Sequence, residues 1–486
     1  MEISEQREEI LIHFAAGELS FREADHHSRK ARLSFERSEI TPPKGGDRMI
    51  QFNMNLPSAV SLALSRLESF GHEAYVVGGA VRDAMLGRAL HDYDVTTSAS
   101  PEEIKSVFAD FHTILTGEKH GTVTVVIEGM PLEITTYRID GDYTDGRRPD
   151  SVEFTKNITE DLARRDFTVN AMAYSPTRGL CDPFGGADDL KIGIIRAVGD
   201  PVRRFTEDSL RILRGFRFAA RLGFEIEEKT LSAAKSERKR LSAVSAERIG
   251  GEILGLLSAE KPARALALMH SAHVLGEVIP RAYFETLSRT GFAALDFIPD
   301  RFPAGLYLKK EREEAAALGF LSARAHLAAI RLGMLLRDSD RDLSVEIPKK
   351  LKMRTELSAV TTACASGVLP KRGDPATVRT YASGLTSKIT PKFAFFILLA
   401  AGARGERLLS GESAMTAAQN LFECAEKGEP MSISELAVSG SDLLDCGVAP
   451  GARVGEVLSE LLAAVLANPD FNTRENLLSL VRDMVR

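Results

Sequence analysis

The sequence predicts an α+β chain whose strands gather near the N-terminus and whose remainder is helical. Three observations carry this. The stretch YVVGGAVRDAMLGRALHDYDVTT (75–97) opens strand-like, breaks at Gly78 and Gly79, and resumes with helical spacing of its apolar residues. The segment TVTVVIEGMPLEITTY (122–137) reads as two strand-like runs joined at Glu128 to Pro131, the pattern of a hairpin. Beyond Phe224, alanine- and leucine-rich segments follow one another with no convincing strand.

At 486 residues the chain has room for two to four domains and a sizeable core. Its net charge of -6 gives no global basic field, so a nucleic acid would have to be held by a local patch. Cys181, Cys364, Cys424 and Cys446 lie far apart without metal-ligand spacing, and read as free thiols of a reducing, cytoplasmic setting. No apolar run approaches the ~18 residues of a membrane span, and acidic residues come early. Neither a membrane segment nor a targeting peptide is expected.

Taken in order, residues 1–54 form an extension and linker that ends in the breaker-rich TPPKGGDRM and carries no legible chemistry. LPSAVSLALSRLESF (56–70) has helical spacing and stops at Gly71. In 75–97 the two glycines make a strand-to-helix turn, whose free N–H groups and helix dipole suit phosphate. Twelve residues separate Gly79 from Asp92, and Asp-Tyr-Asp-Val reads as the next strand, so Asp92 and Asp94 should share a face. Paired carboxylates repel unless a hard cation joins them, and Mg2+ is the natural one. Either half alone fits a solvated surface turn; together they point to metal and phosphate in one place.

PEEIKSVF (101–108) reads as a helix with proline in its first turn. Glu133, in the second strand of the hairpin, is either a third carboxylate for the metal site or an exposed strand glutamate. RIDGDYTDGRRPDSV (138–152), with Arg147 and Arg148, reads as a mobile loop, and CDPFGGADDLKIGIIRAVGDP (181–201) as a turn-rich connector. In RRFTEDSLRILRGFRFAARLGF (203–224), the steps from Asp208 to Arg211, Arg214, Arg217 and Arg221 are three, three, three and four. All five side chains therefore fall on one helical face, while Leu210, Leu213, Phe218 and Leu222 pack the helix. Like charges so spaced destabilise a free helix, and the stripe makes sense if it faces phosphates. Arg248 and Glu252, four apart, are expected to pair.

The apolar-Gly-Gly…Asp-x-Asp pattern resembles the signature of the polymerase-beta-like nucleotidyltransferases. The strings GGAVRDAMLGRALHDYDVTT, RRDFTVNAMA and EDSLRILRGFRFAARLGF resemble the motifs of the class II tRNA nucleotidyltransferase and poly(A) polymerase family. The resemblance implies a head domain at 55–195 with a small mixed sheet and helices, a helical neck at 196–260 that selects the nucleotide, a helical body at 261–370, and a helical tail at 371–486 that docks tRNA. It implies addition of nucleotides to a tRNA 3′ end from CTP and ATP, with Mg2+ as cofactor. Asp92 and Asp94 would hold the metal, with Glu133 as the acidic residue expected nearby. Gly79, Arg82 and Arg165 would bind triphosphate, and Asp208 and Arg211 would read the base edge. Arg214 and Arg217 would support the base-binding helix or the phosphates. Complete CCA addition fits best. A-only addition, poly(A) synthesis and a non-catalytic RNA-binding relative are the other readings. RLGMLLRDSD (331–340) resembles a degenerate His-Asp phosphohydrolase trace, with Arg337 where a histidine would stand, so that activity is not expected.

Overall fold

The computed structural model describes residues 52–90, 92–114, 121–141, 151–280, 289–297, 321–337, 341–366, 368–385, 394–395, 397–398, 401–402 and 404–485. Two compact units divide the chain, one running to Thr286 and one starting at Leu287. The first begins with α1 (Ser58–Ser69), which buries Val60, Ala63, Leu64 and Leu67, positions three and four apart on one face. The chain reverses after it at Gly71, where φ is +86°. Phe52 meets Tyr174 edge-on and Asn53 Oδ1 accepts from the Tyr174 hydroxyl, so the end of the expected linker already belongs to this unit.

Next come β1 (Ala74–Val77), α2 (Gly79–Met85), β2 (Asp94–Thr97) and α3 (Pro101–Val107). In α3 the Ser100 hydroxyl accepts from the Glu103 N–H and the Glu103 carboxylate from that of Ser100, a reciprocal cap. The strands β3 (His112–Ile114), β4 (Thr122–Ile127) and β5 (Met130–Thr136) follow. The β4–β5 turn has φ of +52° at Glu128 and +80° at Gly129, the two left-handed residues of a tight hairpin. With β8 (Ala173–Ser175) and β9 (Gly179–Cys181) these strands form one sheet in the order β3-β4-β5-β2-β1-β8-β9. Only β2 and β5 run parallel, which makes the sheet mixed as expected.

The expectation of no strand beyond Phe224 fails at once, since Glu225–Ile226 pairs in parallel with Ile194–Ile195. The structure corrects three further local expectations. The first and last residues of the expected loop at 138–152 pair as β6 (Arg138–Asp140) and β7 (Val152–Phe154), a two-stranded ribbon; 142–150, with Arg147 and Arg148, lie outside the described residues. The expected connector holds a helix, α5 (Gly186–Ile192), which follows α4 (Ile158–Ala163) in the helix order. Its glycines are caps rather than breaks: Asp182 accepts from the N–H groups of Gly186 and Ala187, and Gly193 ends the helix at φ +71°. The third concerns the arginine stripe. Asp208 lies between α6 (Pro201–Glu207) and α7 (Leu210–Leu222) in extended conformation, so it is not on the arginine-bearing helix.

A Cβ on Gly186 would stand 2.3 Å from the Thr168 carbonyl oxygen and 2.9 Å from Met172 Cγ. Gly186→Ala is therefore expected to destabilise by about 1 to 3 kcal/mol through overpacking, read as a lower Tm; an unchanged Tm would show that α5 shifts freely.

Helices α8 (Glu228–Glu237) and α9 (Ala246–Leu257) pack on α6 and α7 respectively. The neck thus shares one unit with the head. The second unit is built of helices joined by turns among its described residues, with one antiparallel bridge between Arg407 and Ser413 and a C-terminal core of Val438, Leu443, Leu461, Val465, Leu477 and Val481. Arg337 there is bound by both Glu406 oxygens and the Cys364 carbonyl. No helix is long and apolar enough to cross a membrane among the described residues.

Candidate nucleotidyltransferase site

The site grows from the junction of β1, β2 and β5. Val77 pairs with Asp94 across the antiparallel β1–β2 ladder, so the glycine turn that follows Val77 opens beside the Asp94 carboxylate. Gly78 has φ +73° and ψ -124°, a conformation that only glycine adopts without strain. A Cβ there would lie 3.0 Å from Arg165 Nη1. One residue thus meets two demands, a left-handed backbone and close approach of a guanidinium. Gly79, the residue expected to matter, is the first of α2 and meets only ordinary contact from Arg82. The α2 N-terminus has no side-chain cap.

Asp94 heads β2, whereas Asp92 precedes the strand. The shared strand face expected of the two carboxylates is therefore replaced by simple proximity. Asp94 pairs in register with Glu133 on parallel β5, and both are exposed. Desolvation in the cleft raises the Asp94 carboxyl above the usual range; Arg165 pulls it down, and the Asp92 charge pushes it up again. Two like charges, incompletely compensated, suit a cation. Among the described residues no three His, Cys, Asp or Glu side chains converge as a metal cage. Glu133 stands beside the pair as the register partner of Asp94.

Arg164 and Arg165 follow α4 and are held by Asp161, a fully buried carboxylate at 2.8 Å and 3.5 Å. Burial would raise the Asp161 carboxyl, but the two guanidinium groups outweigh it and hold it low. Thr96 Oγ1 reaches Asp161 at 3.4 Å, so the arginine pair is anchored to β2 itself. The Arg165 Nε is buried without a hydrogen-bond partner, and desolvation lowers its pKa. Asp161, Asp94 and Asp166 partly offset that desolvation, and the Nε–H remains able to donate to an acceptor.

The neck arginines do not form a bare stripe. Arg211 pairs with Glu207 at 2.8 Å and donates to the Arg204 and Arg164 carbonyls. Arg214 binds Asp166 at 2.7 Å, Arg217 binds Glu252, and Arg221 approaches Asp83 at 3.8 Å. The like-charge penalty along the helix is thus offset by acids from other elements, which the helix spacing could not show. Arg248 meets Asp208 at 2.8 Å, not Glu252 as expected. The Asp208 carboxylate also accepts from the Leu210 N–H, and its remaining lone pairs can still take a donor. Arg82 is 3% exposed, is bound by Asp83 and Asn170, and lies beside the turn at Gly79.

Sequence reasoning gave no role to Asp161, Asp166 or Asn170, and named Gly78 only as part of the turn. Asp166 and Asn170 lie inside the quoted string RRDFTVNAMA, and Asp161 lies three and four residues before the arginines that it holds.

Known proteins resemble this chain in sequence and in fold. A family model described as the poly A polymerase head domain matches residues 74–196, and one described as a probable RNA and SrmB-binding site of polymerase A matches 223–285. A CCA-adding enzyme of Leuconostoc mesenteroides is 48% identical over 205 residues, 42% of this chain and 51% of that protein, so the match spans about half of that relative. One from Levilactobacillus brevis is 35% identical over 435 residues, 88% of this chain and 99% of the relative. The crystal structure of the Bacillus stearothermophilus CCA-adding enzyme in complex with CTP superposes with a TM-score of 0.63 at 28% identity, covering 88% of this chain and 96% of that one. A glycine turn, an adjacent aspartate pair and a buried arginine thus sit in a chain aligned to a relative over nearly its full length, and the chain belongs to the CCA-adding enzymes of the class II nucleotidyltransferase family.

Proposed function

We propose that this protein adds CCA to the 3′ end of tRNA from CTP and ATP, releasing pyrophosphate, in the cytoplasm. One observation carries the reading: Arg165, with an unpartnered buried Nε, lies over Gly78 and acts on the charge of Asp94, so a triphosphate and a metal-binding carboxylate would meet at one point. The tRNA 3′-hydroxyl oxygen bonds to the α-phosphorus of the nucleotide and its proton passes to water, while the bond from that phosphorus to pyrophosphate breaks and pyrophosphate leaves with the electron pair. Asp92 and Asp94 would hold Mg2+, which when bound supplies Lewis-acid charge for such a displacement. Arg165 would clamp phosphate oxygens bidentately, assisted by the uncapped N-terminus of α2. Asp208 would accept from the exocyclic amino group that cytosine and adenine share, and Arg211 would donate to a ring nitrogen or carbonyl. Glu207 and the carbonyls of residues 164 and 204 fix the Arg211 fork for that task. We assign Arg82 to bracing instead of direct phosphate contact.

The test uses purified protein, Mg2+ and labelled tRNAs that end before CCA, after C and after CC, each given CTP, ATP or both. Growth that stops at CCA on all three supports the reading. One A added only to the CC-ended tRNA identifies an A-adding specialist, and long A tails identify a poly(A) polymerase. Binding of tRNA without incorporation identifies a non-catalytic relative. Arg211→Lys keeps the charge but loses the fork; discrimination against UTP and GTP should then fall about 5- to 150-fold, the equivalent of about 1 to 3 kcal/mol for an unsatisfied buried group. Unchanged selectivity in competition assays would remove Arg211 from base reading.

A further inference from the structure

We propose that Phe218 is a positioning residue, its ring the common seat of three guanidinium groups that keep the glycine turn and the neck helix in register. The Cζ atoms of Arg82, Arg214 and Arg217 lie 5.3, 5.5 and 4.6 Å from the ring centroid. A guanidinium within about 6 Å of an aromatic face is attracted by its quadrupole. Phe167, adjacent to Asp166, meets the ring edge-on at 5.9 Å and fixes its plane. The ring is 5% exposed, so water does little to screen these contacts.

A hydrogen-bonded chain closes around it. Arg82 donates to Asn170 Oδ1 at 2.5 Å, the Asn170 amide donates to Asp166 Oδ1 at 3.1 Å, and Asp166 Oδ2 accepts from Arg214 Nε at 2.8 Å. Both ends of this chain rest on the Phe218 ring. One end stands on α2, directly behind the glycine turn, and the other on α7, which also bears Arg211. Arg217 extends the seat to Glu252 on α9. The ring therefore couples the phosphate end of the proposed nucleotide site to its base end. An aliphatic side chain of similar volume would fill the space without holding the three cations.

This inference rests on the proposed nucleotide addition, and the experiment separates the two. Wild type, Phe218→Leu and Phe218→Tyr are compared on CC-ended tRNA with ATP and on tRNA lacking CCA with CTP, and UTP and GTP serve as competitors. Absence of incorporation by wild type would overturn the proposed function; the inference is read only from ratios of variant to wild type. Phe218→Leu is expected to lower kcat about 10- to 100-fold, the scale of a misplaced reacting group. KM should stay within about threefold, and discrimination against UTP and GTP should narrow, while Phe218→Tyr, which keeps the ring, restores both. A purely structural role would lower the folded fraction and leave base selectivity intact. That result, or wild-type kinetics in Phe218→Leu, overturns the proposal. If Phe218→Leu does not fold, Asn170→Ser decides, since it cuts the chain without touching the ring: narrowed discrimination supports the proposal, and wild-type discrimination overturns it.

Discussion

Asp94→Asn is expected to lower single-turnover incorporation of CTP or ATP by about 10²- to 10⁴-fold. The substitution preserves shape and removes one charge, and charge stabilisation of this kind is worth several kcal/mol at 1.36 kcal/mol per tenfold. Asp94 is the sharper target of the two aspartates. It heads β2 opposite Val77 and beside Glu133, so its backbone is fixed by two ladders, whereas Asp92 stands before the strand. Binding of tRNA, measured separately by filter retention, should change little. Activity within threefold of wild type would mean that Asp94 does not serve the reaction, and Glu133, its register partner, would become the next candidate.

Asp166→Asn should produce the largest loss of stability. Asp166 is buried and bound by Arg214, by the Asn170 amide and by the N–H of Phe167. Arg214 is half-buried and solvent screens the pair, so the loss is expected at about 2 to 3 kcal/mol. The pH dependence has a definite sign. Burial alone would raise this carboxyl, but Arg214 and Asn170 outweigh it and hold the folded group below the usual range. Its contribution is therefore present in full above the unfolded pKa of about 4. It is lost as pH falls through the depressed folded value. Urea unfolding at pH 7 should show the full gap between wild type and variant, and the gap should shrink below pH ~4. A gap unchanged in acid would place the ionised pair outside the stability of the fold.

The two parts of the site differed in how far they could be read before folding. The glycine turn, the aspartates beside it and the hairpin that follows are local: each is specified by period, by breakers and by spacings under about fifteen residues, and the structure keeps each in place. The caps were legible in part, since Pro101 marks the start of α3, while the glycines of α5 were read as breaks. The neck arginines were legible as a stripe but not as pairs. Arg211 has a local acid in Glu207, but those of Arg214, Arg217 and Arg221 are Asp166, Glu252 and Asp83, 48, 35 and 138 residues away. A helical period says which side chains share a face and nothing about what the face meets.

The sequence by itself determined the α+β division, the strand-glycine-helix turn and the residue types able to hold a metal and a triphosphate, because these follow from backbone preference and short-range spacing. Only the tertiary structure decided their roles. It gave Gly78 the left-handed backbone of the turn, set Arg82 against Asn170 and Phe218, and set Arg248 on Asp208. The reason is physical: an arginine binds whichever anion or ring folding brings within reach, and in a buried site that choice belongs to packing between distant segments.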